Sequence, residues 1–199
     1  MTRPFVIGLT GSIGMGKSTT ALLFADEGLP VWDADAAVHR LYGPGGDAVG
    51  PIGELRPEAV HEGGVDRTAL SDWIAQDPSA LRRIERIVHP LVAADRAAFI
   101  DGADADIVVL DIPLLFETGS DAEMDHVVVV SAPPEVQRRR VLERPGMTEA
   151  RLDAILAKQL PDAQKRQRAD DVVETRTLDA ARSQVREILS KIRKRLSDA

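Results

Sequence analysis

Two stretches of the chain, Ile107-Val108-Val109-Leu110-Asp111-Ile112 and His126-Val127-Val128-Val129-Val130-Ser131, run apolar with no polar alternation. A strand covered on one face alternates, whereas one covered on both faces does not, so these two are predicted as core strands between helices. Three shorter runs join them: Phe5-Val6-Ile7-Gly8-Leu9-Thr10, Leu29-Pro30-Val31-Trp32-Asp33 and Asp171-Val172-Val173-Glu174. The second of these is expected to be a parallel partner of the first. Elsewhere the apolar period is helical. Helices are predicted over residues 17–27, with Gly28 as a cap, and over 35–41, before the turn-rich Tyr42-Gly43-Pro44-Gly45-Gly46. From there to Phe99 the pattern is mostly helix. Asp66 caps a segment whose Leu70, Trp73 and Ile74 share a face. Asp77-Pro78 starts the next helix with Pro78 at its first position, and His89-Pro90 punctuates its end before residues 91–100 resume. Two charged helices, 134–142 and 148–160, are separated by Arg144-Pro145-Gly146, and Pro161 stops the second. The last helix carries apolar residues at 178, 181, 185, 188, 189, 192 and 196.

Between the first strand and the first helix lies Gly11-Ser12-Ile13-Gly14-Met15-Gly16-Lys17-Ser18, a complete G-x-x-x-x-G-K-[ST] phosphate loop. Its glycines let backbone N–H groups curl around phosphate oxygens where a Cβ would obstruct. Lys17 is placed to neutralise the β- and γ-phosphates, Ser18 to ligate Mg²⁺, and the positive helix N-terminus faces the same anion. Gly14, Met15, Gly16, Lys17, Ser18 and Thr19 are thus the expected nucleotide contacts. With this loop, the alternation of β and α predicts an α/β fold of P-loop NTPase type: a doubly wound, mainly parallel sheet with a helical insertion and a helical lid. The expected boundaries are a core of 1–34, 105–134 and 168–199, an insertion of 35–104 that binds substrate, and a lid of 135–167.

Composition narrows the partners. The 199 residues, 44% hydrophobic, suffice for a proper core in one domain with a substantial insertion. Absence of cysteine removes disulfides and thiolate metal sites and fits a reducing cytoplasm. A formal charge of −7 disfavours a nucleic-acid surface, and neither a signal peptide nor a membrane-length apolar run is present. The expectation is a cytoplasmic protein acting on small phosphates, without nucleic-acid or membrane partners, as a monomer or weak homo-oligomer.

Second sites decide what a phosphate loop does. Asp33, where the second strand should end, is placed to accept or orient the proton of an attacking hydroxyl, or else to cap the following helix; Asp35 shares both readings. Arg138, Arg139, Arg140 and Arg144 supply guanidinium groups either to a closing lid over the transferred phosphate or to a solvated face paired with Glu135 and Glu143. Arg140 and Arg144, four apart, would share a face on a continuous helix. Asp111 is positioned as a Walker-B acid or a strand-end cap, His89 as a phosphate contact or a junction residue, and Glu117 beside the strand-end crevice. Guanine-reading N-K-x-D signatures are absent, which argues against a switch GTPase.

Taken together, these segments resemble the dephospho-coenzyme A kinase family nearly end to end. Residues 8–19 resemble its extended phosphate loop, and Val31-Trp32-Asp33-Ala34-Asp35 its D-A-D segment. Gly64-Val65-Asp66-Arg67 and Val88-His89-Pro90-Leu91 resemble its substrate-side insertion, and Pro113-Leu114-Leu115-Phe116-Glu117 its P-L-L-x-E stretch. Gln137 with Arg140 and Arg144 matches the lid helix, and Gln159 with Ala169-Asp170 the approach to the final strand. Met15 stands where a small residue is usual, at a position expected to contribute backbone, and Thr175 where the family commonly carries asparagine. The resemblance implies ATP-dependent phosphorylation of the 3′-hydroxyl of dephospho-coenzyme A with Mg²⁺ bridging the phosphates. It makes Asp33 the base, Lys17, Arg140 and Arg144 the phosphate contacts, and Asp35, Arg67, His89 and Glu117 the acceptor side. Read from the residues alone, a nucleoside or nucleotide kinase and a P-loop ATPase or switch acting on a protein partner remain as alternatives.

Overall fold

The computed structural model describes residues 3–198. β1 (Phe5–Thr10) leads through the phosphate loop into α1 (Lys17–Asp26), and β2 (Val31–Asp33) into α2 (Ala34–Tyr42). Then come α3 (Val49–Leu55), the short strands β3 (Val60–His61) and β4 (Gly64–Val65), α4 (Arg67–Gln76) and α5 (Ala80–Asp101). The chain returns through β5 (Ile107–Asp111) and β6 (His126–Ser131). It closes with α6 (Pro134–Leu142), α7 (Glu149–Leu156), α8 (Asp162–Arg168), β7 (Asp171–Glu174) and α9 (Leu178–Ser197). Contacts divide the chain into two units, one running to Val31 and again from Asp104 onward, the other Trp32–Ala103.

Five strands form the main sheet in the order β2-β5-β1-β6-β7. β1 pairs in parallel with β5, Phe5 opposite Ile107, and with β6, Ile7 opposite His126; β6 pairs in parallel with β7. β2 is therefore not the partner of β1, as its place in the sequence suggested, because β5 lies between them. Every residue of β5 is buried, and a strand so apolar is stable only with neighbours on both sides and helices on both faces. The core of this unit joins Ile7, Leu9, Val109, Val128 and Val130 to Phe24 of α1 and Val185, Ile188, Leu189 and Ile192 of α9. Each such side chain contributes about 1.5–3 kcal/mol when fully buried. The apolar period of α9 is the one read from the sequence, except that Leu178 and Leu196 at its ends remain exposed.

The second unit packs Leu41, Ile52, Leu70, Trp73, Ile84 and Val88 into its own core. Asp66 caps α4 as predicted, its Oδ1 accepting from Thr68 and Ala69 N–H. The region is mostly helix, as predicted, and adds one short hairpin, in which Val60 pairs with Val65 and His61 with Gly64 around a two-residue turn where Glu62 (φ 49°) and Gly63 (φ 77°) are both left-handed. Two expectations change here. Pro78 precedes its helix, because Asp77 accepts from Ser79 N–H and Oγ–H and the helical run starts at Ala80. Nor does Pro90 divide α5, which runs unbroken from Ala80 to Asp101. A proline inside a helix costs about 3 kcal/mol. Burial of Ile84 and Val88 before it, partial burial of Leu91 and Val92 after it, and the anchoring of Asp95 to Trp32 Nε1 (2.6 Å) and Arg40 (2.7 Å) offset that cost.

Candidate active site

The phosphate loop is shaped by close packing. Gly14 (φ 77°) lies so near α6 that a Cβ there would meet Val141 Cγ2 at 2.5 Å, and at Gly11 a Cβ would lie 2.6 Å from Val130 O. Gly16 (φ 91°) is the N-cap of α1, which has neither a capping side chain nor an acid in its first turn. Its first N–H groups and positive end are left to an anion. Lys17 is the first helical residue, and its Nζ is paired with Asp111 at the end of β5. Asp111 is buried and so acts here as the counter-charge of the loop lysine, a role between the two that its position suggested.

Other side chains hold the loop from behind. Gln137 of α6 donates from Nε2 to Ile13 O at 2.8 Å, while Gln159 Oε1 accepts from Ile13 N–H at 3.2 Å, so the peptides on both sides of Ile13 are held. Thr175, buried just past β7, donates from Oγ1 to Met15 O at 2.6 Å. Arg140 donates from Nη1 to Thr175 Oγ1 at 2.9 Å and from Nη2 to Thr175 O at 2.6 Å. Met15 contributes more than backbone. Its side chain is 3% exposed, belongs to the core, and accepts from Ala132 N–H at Sδ.

The charged helices differ from expectation. α6 ends at Leu142, so Arg144 lies beyond it and shares no helical face with Arg140. The Arg144 guanidinium is exposed, with no side-chain partner among the described residues. Arg138 pairs with Glu149 and Asp153 of α7 rather than with Glu135 or Glu143. α7 stops at Leu156, short of the predicted 160, and Pro161, expected only to end a helix, also opens a further one, α8, which the sequence pattern does not predict. On α8 sits Lys165, fully buried, with Nζ 2.9 Å from Glu117 Oε1. That same Glu117 oxygen accepts from Leu160 N–H at 2.7 Å. Burial works to raise the Glu117 carboxyl, but the Lys165 ammonium and the Leu160 N–H outweigh it and hold the group below its ordinary value.

The remaining expected site residues belong to the second unit. Asp33 ends β2 and caps α2, its Oδ1 accepting from Ala36 N–H at 2.8 Å. Asp35 follows in the first turn, exposed, as are Arg67 and His89. The Arg67 guanidinium lies 5.5 Å from the centroid of the Tyr42 ring. Burial pushes the Tyr42 hydroxyl up, and Arg67 partly opposes it. Both residues line a cavity of about 450 Å³ with His39, His61 and Glu62. A larger cavity, about 770 Å³, opens instead at the amino ends of β1 and β5, where Phe5 and Ile107 begin their strands, away from the loop.

Sequence reasoning missed the buried Lys165, the clamp on Ile13 and the junction at Thr175. Gln137 and Gln159 left a trace as matches to a family pattern, and Thr175 as a departure from it. Among the described residues no three His, Asp or Glu cluster as a metal site. Magnesium held between phosphates needs only one or two protein oxygens, and the exposed Ser18 hydroxyl meets that need, whereas Thr20 Oγ1 is spent on Gly16 O.

A family model described as dephospho-CoA kinase matches residues 5–179. A dephospho-CoA kinase of Cereibacter sphaeroides is 65% identical over 191 residues, covering 96% of this chain and 97% of the relative. Another, of Ruegeria pomeroyi, is 60% identical over 189 residues, covering 95% and 96%. A crystal structure from Thermus thermophilus superposes with a TM-score of 0.84 at 35% identity, covering 96% of this chain and 98% of that one.

Proposed function

The chain belongs to the dephospho-CoA kinase family and carries out ATP-dependent phosphorylation of dephospho-CoA at the ribose 3′-hydroxyl, the final step of CoA biosynthesis; from this premise we propose how its residues divide the work. The loop N–H groups from Gly14 to Thr19 bind the ATP phosphates, and Lys17 exchanges the Asp111 carboxylate for the β- and γ-oxygens. Ser18 would hold Mg²⁺, which when bound supplies charge neutralisation across those phosphates. Arg140 and Arg144 stabilise the charge that spreads over the transferred group. Arg140 does so from a fixed post and Arg144 from an exposed one.

Asp33 orients or deprotonates the acceptor hydroxyl while its Oδ1 keeps the helix cap. Asp35, Arg67 and His89 take the acceptor side, Arg67 through the cavity that it shares with Tyr42. Glu117, whose Oε1 is engaged by Lys165 and Leu160, would meet the acceptor through Oε2. The core, insertion and lid keep the boundaries drawn above. Action as a monomer or weak homo-oligomer in the cytoplasm is part of the same proposal, and the absence of cysteine fits a reducing compartment. Among the described residues no helix is long and apolar enough to cross a membrane.

The observation that carries phosphoryl transfer is the cradle: two left-handed glycines beneath a helix start free of acids, with Lys17 as its first residue. An acceptor panel with ATP tests the rest. Dephospho-CoA should be phosphorylated far faster than nucleosides or nucleoside monophosphates, with little ATP hydrolysis when no acceptor is present. Preference for a nucleoside, or rapid hydrolysis without acceptor, would overturn the assignment.

A further inference from the structure

We propose that Thr175 is a positioning residue for phosphoryl transfer, its single hydroxyl tying the phosphate-loop backbone to the Arg140 guanidinium so that both halves of the anion site are held in one register. The proposal rests on the kinase reading above and concerns a position where that family commonly carries a different residue.

Hydroxyl bookkeeping sets the direction of each bond. Thr175 Oγ1 has one hydrogen, and with Met15 O at 2.6 Å that hydrogen is given to the loop. Toward Arg140 Nη1, 2.9 Å away, the oxygen accepts. The second arm of the fork reaches Thr175 O at 2.6 Å, so the guanidinium is held at two points rather than by charge alone. Two of its five N–H groups are used, and three remain for phosphate oxygens. Thr175 itself is anchored by its N–H to Ser131 O at 2.9 Å, at the end of β6. The junction is thus fixed to the sheet.

The bond to Met15 also acts on the neighbouring donor. In a planar trans peptide the C=O and the following N–H point in opposite directions, so holding Met15 O against Thr175 turns the Gly16 N–H away from it, into the loop. Gly16 permits the approach, since a Cβ there would lie 3.0 Å from Thr175 Oγ1. One hydroxyl therefore aims a backbone donor and braces an arginine.

Thr175→Val keeps the β-branched shape and removes the hydroxyl; Thr175→Ser restores it. The valine variant should lose about tenfold to a hundredfold in kcat and bind ATP several times more weakly by calorimetry, with KM for dephospho-CoA unchanged. The serine variant should stay within about twofold of the parent, as one retained hydroxyl implies. Combined with Arg140→Lys, Thr175→Val should add less than its loss alone, because the brace on the arginine is already gone and only the bond to Met15 is left to lose. Parent-like kcat and ATP affinity in the valine variant, equal failure of the serine variant, or fully additive losses in the double variant would each overturn the proposal. Calorimetric ATP binding needs no acceptor, so inactivity of the parent toward dephospho-CoA would sink the functional reading while the valine and serine affinities still decide the role of Thr175.

Discussion

The Lys17 ammonium is paired with the carboxylate of Asp111, a side chain only 1% exposed at the end of β5. The cation that a phosphate loop offers to nucleotide is thus already neutralising a buried acid. On the proposal above, ATP takes over the lysine, and Asp111 gives up this partner when it does. A loop lysine that looks solvent-facing in the sequence is therefore part of the folded-state charge balance.

Lys17→Ala should consequently do two things. Turnover should fall by about 10²-fold or more through loss of phosphate stabilisation. Nucleotide-free stability should fall as well, because the buried Asp111 carboxylate loses its ammonium partner. Denaturant unfolding without nucleotide, alongside steady-state kinetics, measures both; unchanged stability would show that the pair contributes nothing to the fold.

Arg140 and Arg144 should respond differently to the same change. Arg140→Lys cannot reproduce the two-point hold on Thr175, so kcat should fall together with a drop in thermal midpoint. Arg144→Lys has no such internal bond to lose, and only kcat should fall, with the midpoint within about 2 °C of the parent, a surface-substitution effect. Kinetics at saturating acceptor and calorimetric melting separate the two, and a normal kcat in both variants would assign these arginines to the protein surface.

Asp33→Asn tests the acid that also caps α2. Asparagine caps as well as aspartate, so the bond from Ala36 N–H survives and the melting temperature should hold. Loss of the negative charge should lower kcat by about 10²-fold if Asp33 orients or deprotonates the hydroxyl. A wild-type kcat would leave it a cap and nothing more.

Glu117 and Lys165 should set an acid limit on stability. The folded carboxyl lies below its ordinary value of 4.5, so its contribution is complete above that pH and is lost as the pH falls through the folded value. The stability gap between the parent and Glu117→Gln should be wide and constant near pH 7 and should narrow below pH 4.5. Urea unfolding at stepped pH reads it, and a gap that widens in acid would contradict the sign of the shift.

The phosphate loop, the five main strands and the amphipathic α9 were legible because each is a local matter: glycines at fixed spacing, an apolar run, a repeating period. The identity of the acceptor was legible only as a family likeness spread over Asp33, Arg67, His89 and Glu117. Composition and period could not tell that β5 separates β1 from β2, since pairing depends on which strand fills the vacancy beside an already buried one. Nor could they tell that α5 continues through Pro90, where packing on both sides outweighs a local preference. Least visible of all were the pairs that set the site's electrostatics. Lys17 with Asp111, Lys165 with Glu117 and Arg140 with Thr175 lie 94, 48 and 35 positions apart in the chain. The residue types at each end were plain in the sequence; which charge met which, and which was taken out of water, was decided only when the sheet and its helices brought them together, because the energy of a buried ion depends on its neighbours in space and hardly at all on those along the chain.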